Sequence, residues 1–123
     1  MALPRIIFYA YPGFESEIVG TGLVNLGFTI AMVQDEAELF VALELDPASI
    51  ILIDSVGRHK ELGRLLPRIQ SRQSARIPIF IMDSANHFKT SLPNVRVLPA
   101  NHRVHDTVYA IADYAKIHIL PQD

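Results

Sequence analysis

Residues 28–54 read FTIAMVQDEAELFVALELDPASIILID, and this stretch decides the fold. Two apolar runs of strand length, Phe28–Val33 (FTIAMV) and Ser49–Ile53 (SIILI), enclose a helical pattern. The pattern opens with D-x-x-E, Asp35 followed by Glu38, which is the order of a capping box. Leu39 and Leu43 recur four residues apart, so they share the inward face. Asp46-Pro47 stops the pattern, because proline has no amide hydrogen to continue a helix and disfavours helix at the residue before it. The run SIILI shows no polar alternation, as expected of a strand covered on both faces. Strand, helix and buried strand make one βαβ unit.

The same punctuation continues outward. Further strands are expected at Arg5–Tyr11 (RIIFYAY), Ile77–Met82 (IPIFIM) and Val95–Leu98 (VRVL). Helical patterns fill Glu15–Leu26, Lys60–Gln73 and His105–Ile119. The first puts Ile18, Gly22 and Leu26 on one face. The next groups Leu62, Leu65, Leu66 and Ile69, with Pro67 inside the pattern, so that helix kinks or begins late. The last carries Val108, Ile111, Ala112 and Ala115 on one stripe and ends before Pro121. Ser84–Asn94 lacks helical periodicity and reads as a loop with at most one helical turn. Repeated strand–helix alternation predicts an α/β, flavodoxin-like, doubly wound parallel sheet of five strands in the order 2-1-3-4-5, with helices on both faces and a fourth helix short or absent. Residues 1–123 form a single domain of this kind.

Composition narrows the chemistry. The chain has 123 residues, half of them apolar, with no cysteine and no tryptophan. It can bury a core without staples, and thiol, disulfide and thiolate–metal chemistry are excluded. Absence of cysteine suits a reducing cytoplasm. The opening MALPRIIFYAYPGF has too short an apolar run for a secretory signal, and no stretch approaches the ~20 apolar residues of a membrane span. The net charge is −2, which does not mark a nucleic-acid binder. The charge is segregated: residues 1–46 hold seven acids against Arg5 alone, and residues 55–104 hold nine bases against Glu61 and Asp83.

In a sheet of this order the functional crevice lies at the carboxyl ends of strands 1 and 3. Tyr9, Ala10 and Tyr11 stand there, with Asp54 at the end of strand 3 and Asp83 and Ser84 after strand 4. The stretch from Gly27 to Gln70, including LGFTIAMVQDEAELFVALELDPASIILIDS, resembles the receiver domain of bacterial response regulators. The resemblance implies a phosphoacceptor at Asp54, the position of the receiver aspartate. The acidic pair that holds Mg²⁺ in receivers would fall on Ala10 and Tyr11 and is absent. The receiver Ser/Thr falls on Asp83, or on Ser84 after a one-residue slip, and the lysine before proline falls on Leu98, before Pro99. A carboxylate alone is a poor Mg²⁺ and phosphoryl site, because the incoming oxygens need a cation. Asp54 otherwise caps the next helix or pairs with a base.

The C-terminal half, with IPIFIMDSANHFKTSLPNVRVLP followed by DTVYAIADYAKIHILP, is similar to the receiver-like wing domain that opens bacterial ornithine, lysine and arginine decarboxylases. That resemblance implies an oligomerisation element without phosphorylation chemistry. It carries over no decarboxylase activity, since no cofactor domain follows in this sequence.

Other signals are weaker. Arg64, Arg68 and Arg72 repeat at i, i+4 and i+8 along one helix face, either a surface for an acidic partner or a solvated face; helix 2 lies on the same side of the sheet, so Glu36, Glu38 and Glu44 can meet these arginines within the chain or across a head-to-tail contact. No aromatic residues interleave the arginines, so nucleic acid is not expected. His102, His105 and Asp106 lack a converging third ligand, and no metal is expected. Gly20, Gly22 and Gly27 do not make a dinucleotide fingerprint and read as close helix–sheet packing and a helix stop. Tyr9, Tyr11 and Phe14 cluster at the crevice and fill volume there, or line a small-ligand slot. The expectation is a non-catalytic pseudo-receiver acting through protein contact or self-association in signal transduction, with no cofactor and no membrane. The alternatives are the wing-like oligomerisation domain and a phosphorelay receiver phosphorylated on Asp54.

Overall fold

The computed structural model describes residues 5–11, 13–45, 50–55, 59–72, 77–82, 94–98 and 104–118. The elements run β1 (Arg5–Tyr9), α1 (Phe14–Asn25), β2 (Thr29–Val33), α2 (Glu36–Leu45), β3 (Ile50–Asp54), α3 (His59–Arg72), β4 (Ile79–Met82), β5 (Val95–Leu98) and α4 (Val104–His118). The five strands form one parallel sheet in the order β2-β1-β3-β4-β5. β1 and β3 stand at its centre and are apolar on both faces, as their unalternated sequences require. The loop expected at Ser84–Asn94, and with it the short or absent fourth helix, falls mostly on residues 83–93, outside the described residues.

Strand side chains alternate between two cores. Ile7, Tyr9, Ile51, Ile53, Ile79 and Ile81 meet α2 and α3 on one face. Ile6, Phe8, Ala10, Ile50, Leu52, Phe80 and Leu98 meet α1 and α4 on the other. The stripe expected on α3, Leu62, Leu65, Leu66 and Ile69, is buried as a unit. On α4, Val108, Ile111 and Ala115 are buried and Ala112 is packed against them.

The inward face of α1 differs from expectation. Val19 and Leu23 are buried, whereas Leu26 is about half exposed. The helix is apolar around most of its circumference, so several stripes compete and packing on the sheet selects one. Gly22 is a close-packing glycine, but against another helix: a Cβ there would lie 3.0 Å from Val108 Cγ2 of α4. Around Gly20 the space is open, with nothing within 4 Å of an added Cβ.

Local chemistry sets the ends of the helices. Asp35 Oδ1 accepts from the Glu38 amide at 2.8 Å, and Glu38 Oε2 reaches back to the Gln34 amide at 3.1 Å. The first bond is the cap that D-x-x-E encodes; the return bond goes to the amide one residue before Asp35 rather than to that of Asp35 itself. At the other end of α1, the amides of Gly27 and Phe28 donate to the carbonyls of Val24 (2.9 Å) and Leu23 (3.1 Å), with Gly27 at φ 104°. Both bonds of a Schellman stop are present, and Phe28 packs in the same core as Leu23. Pro67 lies inside α3, which runs through it from His59 rather than beginning late. Its ring removes the hydrogen bond to the Gly63 carbonyl, and both residues lie on the exposed side of the helix, open to solvent. At the opposite end of the sheet from the crevice, Gln70 donates to Asn94 Oδ1 while Asn94 Nδ2 donates to the Ile77 carbonyl at 2.7 Å. One amide side chain thereby ties α3 to the starts of β4 and β5.

Candidate functional site at the carboxyl end of the sheet

The parallel register aligns the strand ends. Tyr9 is level with Ile53, Asp54 with Met82, and Met82 with Leu98. One step beyond Tyr9, Ala10 is level with Asp54, and its amide donates to the Val33 carbonyl at 3.0 Å. Ser55 extends β3 in the same way, donating to the Met82 carbonyl at 2.9 Å. Period-two alternation puts Ala10, Asp54, Met82 and Leu98 on the face shared with α1 and α4. The row therefore reads alanine, aspartate, methionine, leucine. Ala10 and Leu98 are buried, and Asp54 is partly buried.

The tyrosines do not cluster as expected. β1 ends at Tyr9, not Tyr11. Tyr9 is buried in the α2/α3 core, on the sheet face opposite Ala10, and Tyr11 is half exposed beyond the strand. Alternation would put Tyr9 and Tyr11 on one face, but the strand ends at Tyr9 and Tyr11 is outside the pleat. The side chain of Phe14 lies outside the described residues, as do Asp83, Ser84, Pro99 and His102, together with the side chains of Arg72 and His105.

A residue that sequence reading missed shapes the crevice. Ser16 is buried, and its hydroxyl faces the carbonyls of Tyr11 at 3.1 Å and Gly13 at 3.0 Å. It holds the turn after β1 against the first turn of α1, where the N-cap residue Gly13 has no side chain to cap with. A serine three residues into a helix that opens on glycine is the signal that was available.

The described donors do not fit the Mg²⁺ of a receiver. Ala10 brings no ligand, Tyr11 turns outward, and the row offers one carboxylate, whereas Mg²⁺ demands near-octahedral oxygen ligation. Among the described residues no group of three or more His, Asp or Glu converges. The arginine stripe is partly spent within the chain. Arg68 pairs with Glu36 of α2 and stacks 5.2 Å from the Phe40 ring, and Arg64 lies 4.0 Å from the same carboxylate. Glu36 thus meets the arginines across the face that α2 and α3 share.

No protein-family model matches the sequence, and no curated protein matches it significantly. Solved structures are similar over nearly the whole chain. A response regulator from Thermotoga maritima superposes with a TM-score of 0.69 at 13% identity, covering 93% of this chain and 98% of that one. HP1043, an orphan response regulator of H. pylori, superposes with a TM-score of 0.62 at 10% identity, covering 89% of this chain and 94% of its own. Strand order, register and these likenesses agree on one conclusion: the chain has the receiver fold of the response regulators.

Proposed function

We propose that the chain is a pseudo-receiver: a regulatory module of signal transduction that works through protein contact and not through phosphoryl transfer to Asp54. The observation that carries this reading is the row Ala10–Asp54–Met82–Leu98. A phosphoryl group on Asp54 brings close to two negative charges that need a cation to balance them. Among the described residues of that row its neighbours are an alanine, a methionine and a leucine, two of them buried, and these three neither supply nor bind a cation. The receiver fold supports the regulatory class of the role; the chemistry of this row supports its being non-catalytic.

The test is a titration with Mg²⁺ and beryllofluoride, a phosphoryl mimic, followed by amide NMR shifts and thermal melting. The expected result is no shift at residues 9–11, 54–55 and 82 and an unchanged melting temperature. A saturable response that disappears in Asp54→Ala overturns the reading and makes the chain a phosphorelay receiver.

A further inference from the structure

β2 is an edge strand, and its Ile30 and Met32 stand on the α1 side of the sheet. Between them and α1 runs a groove of about 370 Å³, walled on the helix side by Glu17, Gly20, Thr21 and Val24. The groove exists because α1 presents small residues there; nothing lies within 4 Å of a Cβ added at Gly20. Its apolar walls are open to solvent, with Val24 53% and Met32 47% exposed, and apolar exposure continues past its end at Leu26. Apolar side chains left exposed along a concave wall are surface that a docked partner removes from water.

Charge selects the occupant. Glu17 is the charged residue of the lining, and no described cation pairs with it. α1 itself carries Glu15 and Glu17 and no base. A second copy brought up two-fold would set these acids against themselves. A head-to-tail copy offers no fitting helix either. Among its described side chains the basic α3 exposes Gly63, Arg64, Pro67, Arg68 and Ser71, none of them large and apolar enough to fill the groove. The exposed Tyr109 and Ile117 of α4 are accompanied by Asp106 and Asp113 against Lys116.

We propose that the α1–β2 groove docks a cationic amphipathic helix of another protein, with apolar side chains on Val24, Ile30 and Met32 and a lysine or arginine on Glu17. An apolar stripe laid into such a groove is a common mode of helix recognition, and the complementary charge gives the choice of partner. The inference extends the reading of the chain as a contact module and places that contact away from Asp54.

The probe is a synthetic amphipathic helix of leucine and lysine, with a leucine–glutamate peptide of the same pattern as its control. Amide NMR shifts and fluorescence anisotropy read its binding at physiological salt. Shifts confined to residues 17–32 are expected, with the glutamate peptide at least ~tenfold weaker. Gly20→Leu fills the groove and is expected to weaken the lysine peptide by roughly tenfold or more, and Glu17→Lys by about fivefold. Circular dichroism and melting of both variants confirm that they fold, and the surface change at Glu17 stands by itself if Gly20→Leu does not. The proposal is overturned by equal binding of the two peptides, by shifts elsewhere, or by affinity that neither variant changes. It is also overturned if the protein alone shows concentration-dependent shifts at 17–32, since a second copy then fills the groove. A beryllofluoride response with peptide binding intact overturns the reading of Asp54 alone; silence there without peptide binding overturns the groove alone.

Discussion

The glycines of α1 and its exit hold three different positions, and each answers differently to the same substitution. Gly20 faces open space, so Gly20→Ala is expected to stabilise the protein by up to ~1 kcal/mol through helix propensity. At Gly22 the new methyl meets Val108 at 3.0 Å, and overpacking of about 1–3 kcal/mol outweighs that gain. Gly27 sits at φ 104°, where a side chain costs ~1–2 kcal/mol, and Gly27→Ala also strains the Schellman stop. Urea unfolding of the three single variants checks the order Gly20→Ala above wild type above the other two. Gly22→Ala as stable as Gly20→Ala would show that α1 and α4 are not closely apposed. Of these positions only the stop at Gly27 is legible in the sequence, because it depends on neighbours within a few residues. Whether a glycine meets a neighbouring helix or solvent depends on residues some eighty positions away.

Elements whose chemistry is local were readable, and elements that are apolar all round were not. Asp35-x-x-Glu38 foretold the start of α2: Asp35 caps the Glu38 amide, while the Glu38 carboxylate reaches the Gln34 amide one residue further back. Asp35→Ala is expected to cost about 1 kcal/mol, with loss of helical signal confined to the first turn of α2 in NMR. The stripe of α3 was readable because charged residues mark its other face, whereas α1 offered Ile18, Val19, Leu23, Val24 and Leu26 without distinction. Pro67 misled in the other direction. The helix tolerates it on its exposed side, where both Gly63 and Pro67 lie, so Pro67→Ala is expected to raise stability by about 1–2 kcal/mol, the restored hydrogen bond exceeding the greater freedom of the unfolded chain. A Pro67→Ala variant less stable than wild type in the same unfolding assay would contradict this. The candidate site divides similarly. Asp54 and the missing acids at Ala10 and Tyr11 were visible at the strand ends. The groove was not, since it joins a helix and an edge strand whose approach only the folded sheet defines.

Across the whole molecule, stability is concentrated in the middle of the sheet. β1, β3 and β4 are bonded on both edges and buried on both faces, while among the described residues β2 and β5 are each paired along one edge. Hydrogen exchange is expected to protect the amides of Ile6–Phe8, Ile51–Ile53 and Ile79–Ile81 longest and to release β2 and β5 earlier. Equal protection at β2 would mean that something covers its other edge in solution. Leu52→Ala, at the centre, is expected to cost roughly 2–5 kcal/mol. The sheet also divides the molecule into two cores whose side chains lie on opposite faces, Leu23 in one and Leu65 in the other. Leu23→Ala and Leu65→Ala are therefore expected to add within ~0.5 kcal/mol in the double variant. Such a partition acts as an insulator in sequence space. Either layer can drift through its own compensating changes without asking the other to follow, and a chain built this way keeps its outline long after its relatives have ceased to look alike residue by residue.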